Sequence, residues 1–399
     1  MRFSPSLPPT AAYIHIPFCR RRCYYCDFPI SVVGDRPPIQ ESFGTIAEYV
    51  EILCQEIEAA AQWRSGPGQP FSTVFFGGGT PSLLTVAQLA QILTQIDQQF
   101  GIAAGAEISM EIDPDTFDRE RLAGYLVAGI NRVSLGVQAF QTELLQACGR
   151  THSPEDVNRA VELIHQVGFT NFSLDLISGL PHQTETDWLA SLNAAVALAP
   201  THISVYDLTV ETGTAFDRWY EAGVSPLPSE ASTAQMYRAA QQHLTQAGYQ
   251  HYEVSNYARS GYQCRHNRVY WQNQPYYGFG MGAASYVNQQ RFTRPRKRRD
   301  YYRWVQEFAA TGQIDCPVTP PQETLLDTLM LGLRLAEGLD LQALAAQFGE
   351  PALQQIQTCL EPYRTKGWIE PDTIRLRLSD PEGFLFSNVM LSELFKQLA

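Results

Sequence analysis

The sequence predicts an α/β fold: a partial, TIM-like (β/α)6 barrel followed by a smaller C-terminal segment of helices and short strands. Three observations carry this. Six strand-like runs alternate with stretches of helical periodicity between residues 11 and 206, and such alternation implies parallel strands joined by right-handed crossovers. Six repeats rather than eight leave the barrel partial. Charged residues and glycines gather where the strands end, which is the end at which such barrels bind ligands.

Residues 1–10 are proline-rich and read as irregular. Ala11–Ile16 is an apolar strand, and 31–45 reads as a loop. Ile46, Val50, Leu53 and Ile57 space a helix over 46–63. Residues 71–76 are β-branched and aromatic, a strand that runs into Gly77-Gly78-Gly79-Thr80-Pro81. A helix over 86–100 and a strand over 107–112 follow, the strand ending near Asp113-Pro114. Asp118 is placed to cap a helix over 118–128, and 132–137 is the next strand. Ser153-Pro154 starts a helix over 153–167. A strand over 171–176, a helix over 184–198 and a strand over 202–206 complete the alternation. Beyond it, 213–228 reads as a loop, 229–247 as a helix beside the barrel and 249–258 as an extended aromatic stretch. Pro317, Pro320 and Pro321 mark a hinge. Helices follow over 322–334, 340–348 and 353–363, then a short strand over 374–378 and an amphipathic helix over 387–398. The expected domains are 1–230, 231–300 and 301–399.

The chain has 399 residues, enough for two domains and a large core. Hydrophobic content of 44% and charge of 18% are those of a globular protein. No signal-peptide pattern and no apolar run of ~20 residues are read, so an integral membrane protein is not expected. A net charge of −12 argues against nucleic acid as a partner. One local exception is Arg294-Pro-Arg-Lys-Arg-Arg299, either a solvated loop or a patch for anionic groups. The eight cysteines show no disulfide-like framework, which points to a reducing cytoplasm.

Three of them, Cys19, Cys23 and Cys26, form C-x3-C-x2-C on the loop after the first strand. Three thiolates on one loop can hold three corners of a cubic iron–sulfur cluster and leave the fourth iron for a ligand that is not protein. A structural zinc site is the alternative. It usually closes with a fourth Cys or His in a paired arrangement. Here Asp27 and Phe28 follow Cys26, and Cys54, Cys148, Cys264, Cys316 and Cys359 are scattered singly. The glycines of 77–79 are either a tight turn or a place where backbone N–H groups meet a ligand. Glu111, Gln138, Arg150 and Asp175 stand at or near successive strand ends. Taken singly, a charge bound for a core is an ion-pair member or a ligand contact. Together these residues suit a polar nucleoside and amino-acid ligand. Later comes His266-Asn267-x-x-Tyr270-Trp271. Imidazole can ligate haem iron and aromatic rings can stack on a porphyrin, with Cys264 a candidate contributor. The alternative is a buried histidine, hydrogen-bonded in an aromatic core.

C-x3-C-x2-C, with Tyr25 just before the third Cys, resembles the signature of the radical S-adenosylmethionine (SAM) superfamily. The resemblance spans about residues 11–290. It implies a [4Fe–4S] cluster on Cys19, Cys23 and Cys26, with SAM chelating the open iron through its amino and carboxylate groups. In that family an electron from the cluster cleaves SAM to methionine and a 5′-deoxyadenosyl radical. The glycine turn resembles the family's GGE-type motif, with Thr80 in the acidic position, as in the porphyrin branch. Resemblance to the coproporphyrinogen-dehydrogenase-like branch implies that Tyr13, Gly78 and Glu111 lie near cluster-bound SAM. It implies further SAM contacts at Tyr25, Gly79, Thr80, Gln138, Arg150, Asp175, Thr209 and Ala284. The C-terminal segment resembles that branch's winged-helix-like domain, expected to cap the open side of the barrel.

That branch holds two kinds of protein: an oxygen-independent coproporphyrinogen III oxidase and the HemW-type haem chaperones. The oxidase type carries another Cys two residues after the third cluster Cys, where this chain has Phe28. It has a long segment before the cluster, where this chain has 18 residues ahead of Cys19. The HNxxYW motif belongs to the chaperone type and is intact here. The expectation is therefore a cytoplasmic, membrane-peripheral haem chaperone with haem at His266, Asn267, Tyr270 and Trp271. Its expected partners are haem, haemoproteins of the respiratory membrane, an unidentified electron donor and a second copy of the chain. Whether it is also an enzyme stays open. The alternatives are the oxidase, another radical SAM enzyme, or a plain structural iron–sulfur protein.

Overall fold

The computed structural model describes residues 8–34, 46–64 and 68–398. The start of the proline-rich stretch and residues 35–45 of the expected loop lie outside the described residues. All six expected strands form: β1 (Ala11–Ile16), β2 (Phe71–Gly78), β3 (Ile102–Ile112), β4 (Arg132–Gln138), β5 (Phe172–Ser178) and β6 (His202–Asp207). The intervening helices are α1 (Ile46–Gln62), α2 (Val86–Phe100), α3 (Arg119–Ala128), α4 (Pro154–Val167) and α5 (Glu185–Ala197). Neighbouring strands pair in parallel throughout. Three helices start with a reciprocal capping box, Thr85 with Gln88, Ser153 with Asp156 and Thr184 with Asp187. Each box satisfies two orphan N–H groups and is worth about 1 kcal/mol.

The two faces of the sheet differ. Ile14 and Ile16 of β1, Val74 and Phe76 of β2, and Met110 and Ile112 of β3 are buried in one apolar cluster with the helices. The alternate residues face the barrel interior, by the two-residue period of a strand. Those are polar: Thr73, Glu107, Arg132, Ser173 and His202 are all buried. Two of them bond between neighbouring strands, Ser173 Oγ with His202 Nδ1 at 2.8 Å.

The sheet also gains strands at both edges. β7 (Gln250–Glu253) and β8 (Asn256–Ala258) come from the expected extended stretch, and β9 (Tyr277–Phe279) adds a further edge strand. The order is β9-β1-β2-β3-β4-β5-β6-β8-β7, a nine-stranded open sheet, so the barrel is partial. β9 lies parallel to β1, while β8 runs antiparallel to both β6 and β7. β3 begins five residues before the expected 107. Within it Gly105 takes φ +73°, a conformation that a glycine adopts readily and that hides the strand from a pattern search.

Three segments differ from expectation. The loop over 213–228 contains a short helix, α6 (Ala215–Trp219), with Thr214 capping it through Asp217 N at 3.1 Å. The expected helix over 229–247 is α7 (Glu230–Gln246). The HNxxYW segment is itself a helix, α8 (Arg265–Trp271). After the basic run, α9 (Arg298–Thr311) packs on α1 and buries Tyr301, Val305 and Phe308 in the barrel's own cluster. The sequence pattern assigns those residues to the C-terminal segment. Their i, i+4, i+7 spacing is helical, but the preceding run of arginines obscured its start. Arg294 is no member of a solvated patch. It is 2% exposed and bonds Glu56 at 2.7 Å, inside the protein.

From residue 321 a second apolar cluster forms around α10 (Pro321–Gly332), α11 (Leu341–Phe348), α12 (Glu350–Thr365) and α13 (Ser387–Leu398). A two-residue ladder, Leu339–Asp340 with Arg375–Leu376, is the small wing. Arg238 of α7 with Glu382 at 2.6 Å, and His251 of the edge strand β7 with Asp380 at 2.8 Å, tie this unit to the barrel. Among the described residues, no helix is long and apolar enough to cross a membrane.

Candidate cofactor site

A cavity of about 460 Å³ opens at the C-terminal ends of β1–β6. The cysteine loop forms one wall. Its base is closed where Ser31 N donates to the Pro17 carbonyl at 2.6 Å and Val33 N to that of Cys19 at 2.9 Å. Its middle is held by Tyr24 N on the Cys148 carbonyl at 3.1 Å. Phe216 N of α6 donates to the Tyr24 carbonyl, also at 3.1 Å. Arg22 Nη1 donates to the Cys26 carbonyl at 3.0 Å. The backbone hydrogen bonds are thus spent on fixing the loop, and all three cysteines line the cavity.

The opposite wall supplies donors to the sulfurs. Thr80 Oγ1 lies 3.6 Å from Cys19 Sγ, and Arg150 Nη1 lies 3.7 Å from Cys23 Sγ. Arg150 also bonds Asp113 and, at 2.8 Å, the Gly136 carbonyl. Burial raises the Cys19 thiol to about 12, against the smaller downward pull of the Thr80 hydrogen bond. Thiolate here therefore needs a cation or metal to stabilise it.

The glycine turn brings backbone close to this wall. A Cβ on Gly79 would sit 2.7 Å from the Phe18 carbonyl oxygen and 2.8 Å from that of Ile16. Only glycine lets β2 end so near the start of the cysteine loop. Gly78 N donates to Glu111 Oε2 at 3.0 Å. Glu111 is raised to about 8, first by burial and then by the charge of Asp175. Asp175 accepts Ser134 Oγ at 2.9 Å and is itself raised, again mainly by burial. Gln138 has φ +68° at a register shift in β4, which turns the strand's end at the cavity.

Of the residues expected at SAM, Tyr25, Gly78, Gly79, Thr80 and Glu111 line the cavity, as do Gln138, Arg150, Asp175 and Thr209. Tyr13 does not. Its hydroxyl bonds His15 Nδ1 at 3.1 Å, on the interior face next to Gly77. Ala284 is off the cavity as well, on a hairpin strand packed against Gly278. Sequence reasoning missed Asp113, Ser134, His152 and Tyr206, which also line it. Asp113 was legible as the first residue after a strand. Ser134 and Tyr206 required the interior face to be known.

His266, Asn267, Tyr270 and Trp271 are not brought to this cavity. α8 sits at the opposite end of the interior, near the starts of β2 and β3. Glu107 accepts Arg265 N and His266 N, each at 3.0 Å. His266 Nδ1 pairs with Thr73 Oγ1 and Nε2 with Tyr270 Oη, each at 2.8 Å. The imidazole is 1% exposed, and burial, then the Arg132 charge, lowers it to about 3.

A three-cysteine loop after the first strand of an open six-repeat barrel, faced by a glycine turn, defines a radical SAM protein. The radical SAM superfamily model matches residues 13–195, and the HemN C-terminal domain model matches residues 319–386. Three thiols on one cavity wall, with room for a polar ligand beside them, fit the [4Fe–4S] cluster and SAM that this superfamily implies.

Within that superfamily the chain belongs to the HemW family. It is 48% identical to a heme chaperone HemW of Synechocystis sp. over 98% of each chain. It is 33% identical to the Bacillus subtilis protein of the same name over 97% of this chain and 100% of that one. The structure resembles that of coproporphyrinogen III oxidase (HemN) from Escherichia coli with a TM-score of 0.81. The likeness covers 97% of this chain and 90% of that one, at 24% identity, and is one of fold.

Proposed function

We propose that this protein is a cytoplasmic haem chaperone that binds a [4Fe–4S] cluster and SAM in the cavity and passes haem to respiratory haemoproteins. The observation that carries this reading is the 48% identity with a HemW protein along the whole of both chains. Cys19, Cys23 and Cys26 would hold three irons of the cluster, whose open iron would supply chelation of SAM and an electron to it. Thr80 and Arg150 already lie near the sulfurs of Cys19 and Cys23. Glu111 and Asp175 face the cavity where a cationic ligand would meet them. Gly78 and Gly79 admit that ligand close to the backbone. Haem would be held at the HNxxYW segment, at the other end of the same strands.

The test is an anaerobic haem titration of cluster-reconstituted protein followed by absorbance. Saturation near one haem per chain supports the reading. No saturable binding sinks it, and the polar cavity would then favour a radical SAM enzyme, tested by coproporphyrinogen decarboxylation with SAM cleavage.

A further inference from the structure

If this protein is a haem chaperone that uses the HNxxYW segment, its haem site is closed in this structure. An iron needs a free imidazole nitrogen, and His266 has none. Thr73 Oγ1 is 2.8 Å from Nδ1 and Tyr270 Oη is 2.8 Å from Nε2. The ring also stacks on Phe75, with centroids 5.2 Å apart.

The two hydroxyls are not equivalent. A neutral imidazole carries one N–H, so one nitrogen donates and the other accepts. A phenol is a stronger donor than an aliphatic hydroxyl. On that ground we assign Tyr270 O–H as the donor to Nε2 and Nδ1–H as the donor to Thr73. That tautomer leaves the Nε2 lone pair as the metal-binding one, with Nδ1 oriented by a second partner, as metal-ligating histidines usually are. Tyr270 occupies the position that iron would take.

The helix around the ring is clamped on both sides. On the barrel side, Glu107 holds two of its backbone N–H groups. On the outer side, Arg268 bonds Glu337 at 2.5 Å, and Arg334 lies over the Trp271 ring at 5.5 Å. Both outer partners belong to the loop after α10. The closed state is also incomplete, because the Trp271 indole N–H is buried without a hydrogen-bond partner.

We propose that Tyr270 is a latch on His266 Nε2, and that haem binds only when the phenol leaves that nitrogen and α8 loosens from the Glu337 clamp. Thr73 stays on Nδ1 as a positioning residue.

The experiment is stopped-flow haem binding to cluster-reconstituted full-length protein, with Tyr270→Phe, Glu337→Gln and His266→Ala beside wild type. The wild-type rate should level off at high haem concentration, because opening limits it. Tyr270→Phe, which keeps the ring and loses the hydroxyl, should raise that plateau about tenfold. Glu337→Gln should raise it too, and this variant, at a partly exposed site, guards against misfolding of the first. His266→Ala should lose the imidazole-ligated haem spectrum. The latch is overturned if both release variants leave the plateau unchanged or lower it. It is equally overturned if His266→Ala keeps the wild-type haem spectrum. In either case wild type still binds haem, and the chaperone reading stands with haem elsewhere. No saturable wild-type binding overturns both.

Discussion

The Glu111 carboxylate accepts the Gly78 amide at 3.0 Å, which couples the end of β3 to the glycine turn of β2. The same carboxyl is raised to about 8 from 4.5, mainly by burial. Between those values the folded protein holds a proton that the unfolded chain releases. Its contribution to stability is therefore full below pH 4.5 and is lost as pH rises through about 8. Glu111→Gln should flatten that part of the stability–pH curve in urea melts of the cluster-free protein. SAM, carrying positive charge, should bind more tightly as pH rises through the same range and displace the proton. Calorimetry in buffers of different ionisation enthalpy reads that release, and an unchanged proton count in Glu111→Gln would remove Glu111 as its source.

Arg150 links the cluster wall to the barrel through Asp113 and Cys23. Arg150→Met should leave Asp113 without its cationic partner and cost on the order of 3 kcal/mol in urea unfolding. It should also speed cluster loss to a chelator, followed by visible absorbance. Arg150→Lys should restore little, because one ammonium cannot span both groups.

Gly79→Ala should destabilise by roughly 1–3 kcal/mol, because two carbonyls stand in the way of its methyl. The prediction for function is sharper. The methyl pushes β2 away from the start of the cysteine loop, so reconstituted cluster per chain should fall as well. Full cluster content with lowered stability would show that the close approach serves packing alone.

Glu56 accepts Arg294 Nε at 2.7 Å, Gly280 N at 2.8 Å and Tyr301 Oη at 2.6 Å, all within the protein. Glu56→Ala leaves a buried guanidinium unpaired and should cost roughly 3–5 kcal/mol by denaturant unfolding. None of these four residues lines the cavity, so SAM affinity of the folded variant should be unchanged.

The sequence by itself determined the features that repeat locally. The alternation of strands and helices followed from period, two helix starts from Asp118 and Ser153, and the candidate cluster ligands from the spacing of Cys19, Cys23 and Cys26. Most residues expected near SAM line one cavity, because ligand-facing residues sit where strands end and strand ends are visible as changes of pattern. Only the tertiary structure decided the rest. Thr73 and His266 are 193 positions apart, and Glu56 and Arg294 are 238 apart. No local period records such partners. The basic run, read as a solvated loop or an anion patch, has its first arginine buried instead, and of the two readings of His266 the structure shows the buried, hydrogen-bonded histidine. The polar lining of the barrel has the same origin. Thr73, Glu107 and Arg132 alternate with apolar neighbours as a solvated face would. The partial barrel turns that face inward, and their hydrogen bonds then have to come from strands and helices distant in the chain.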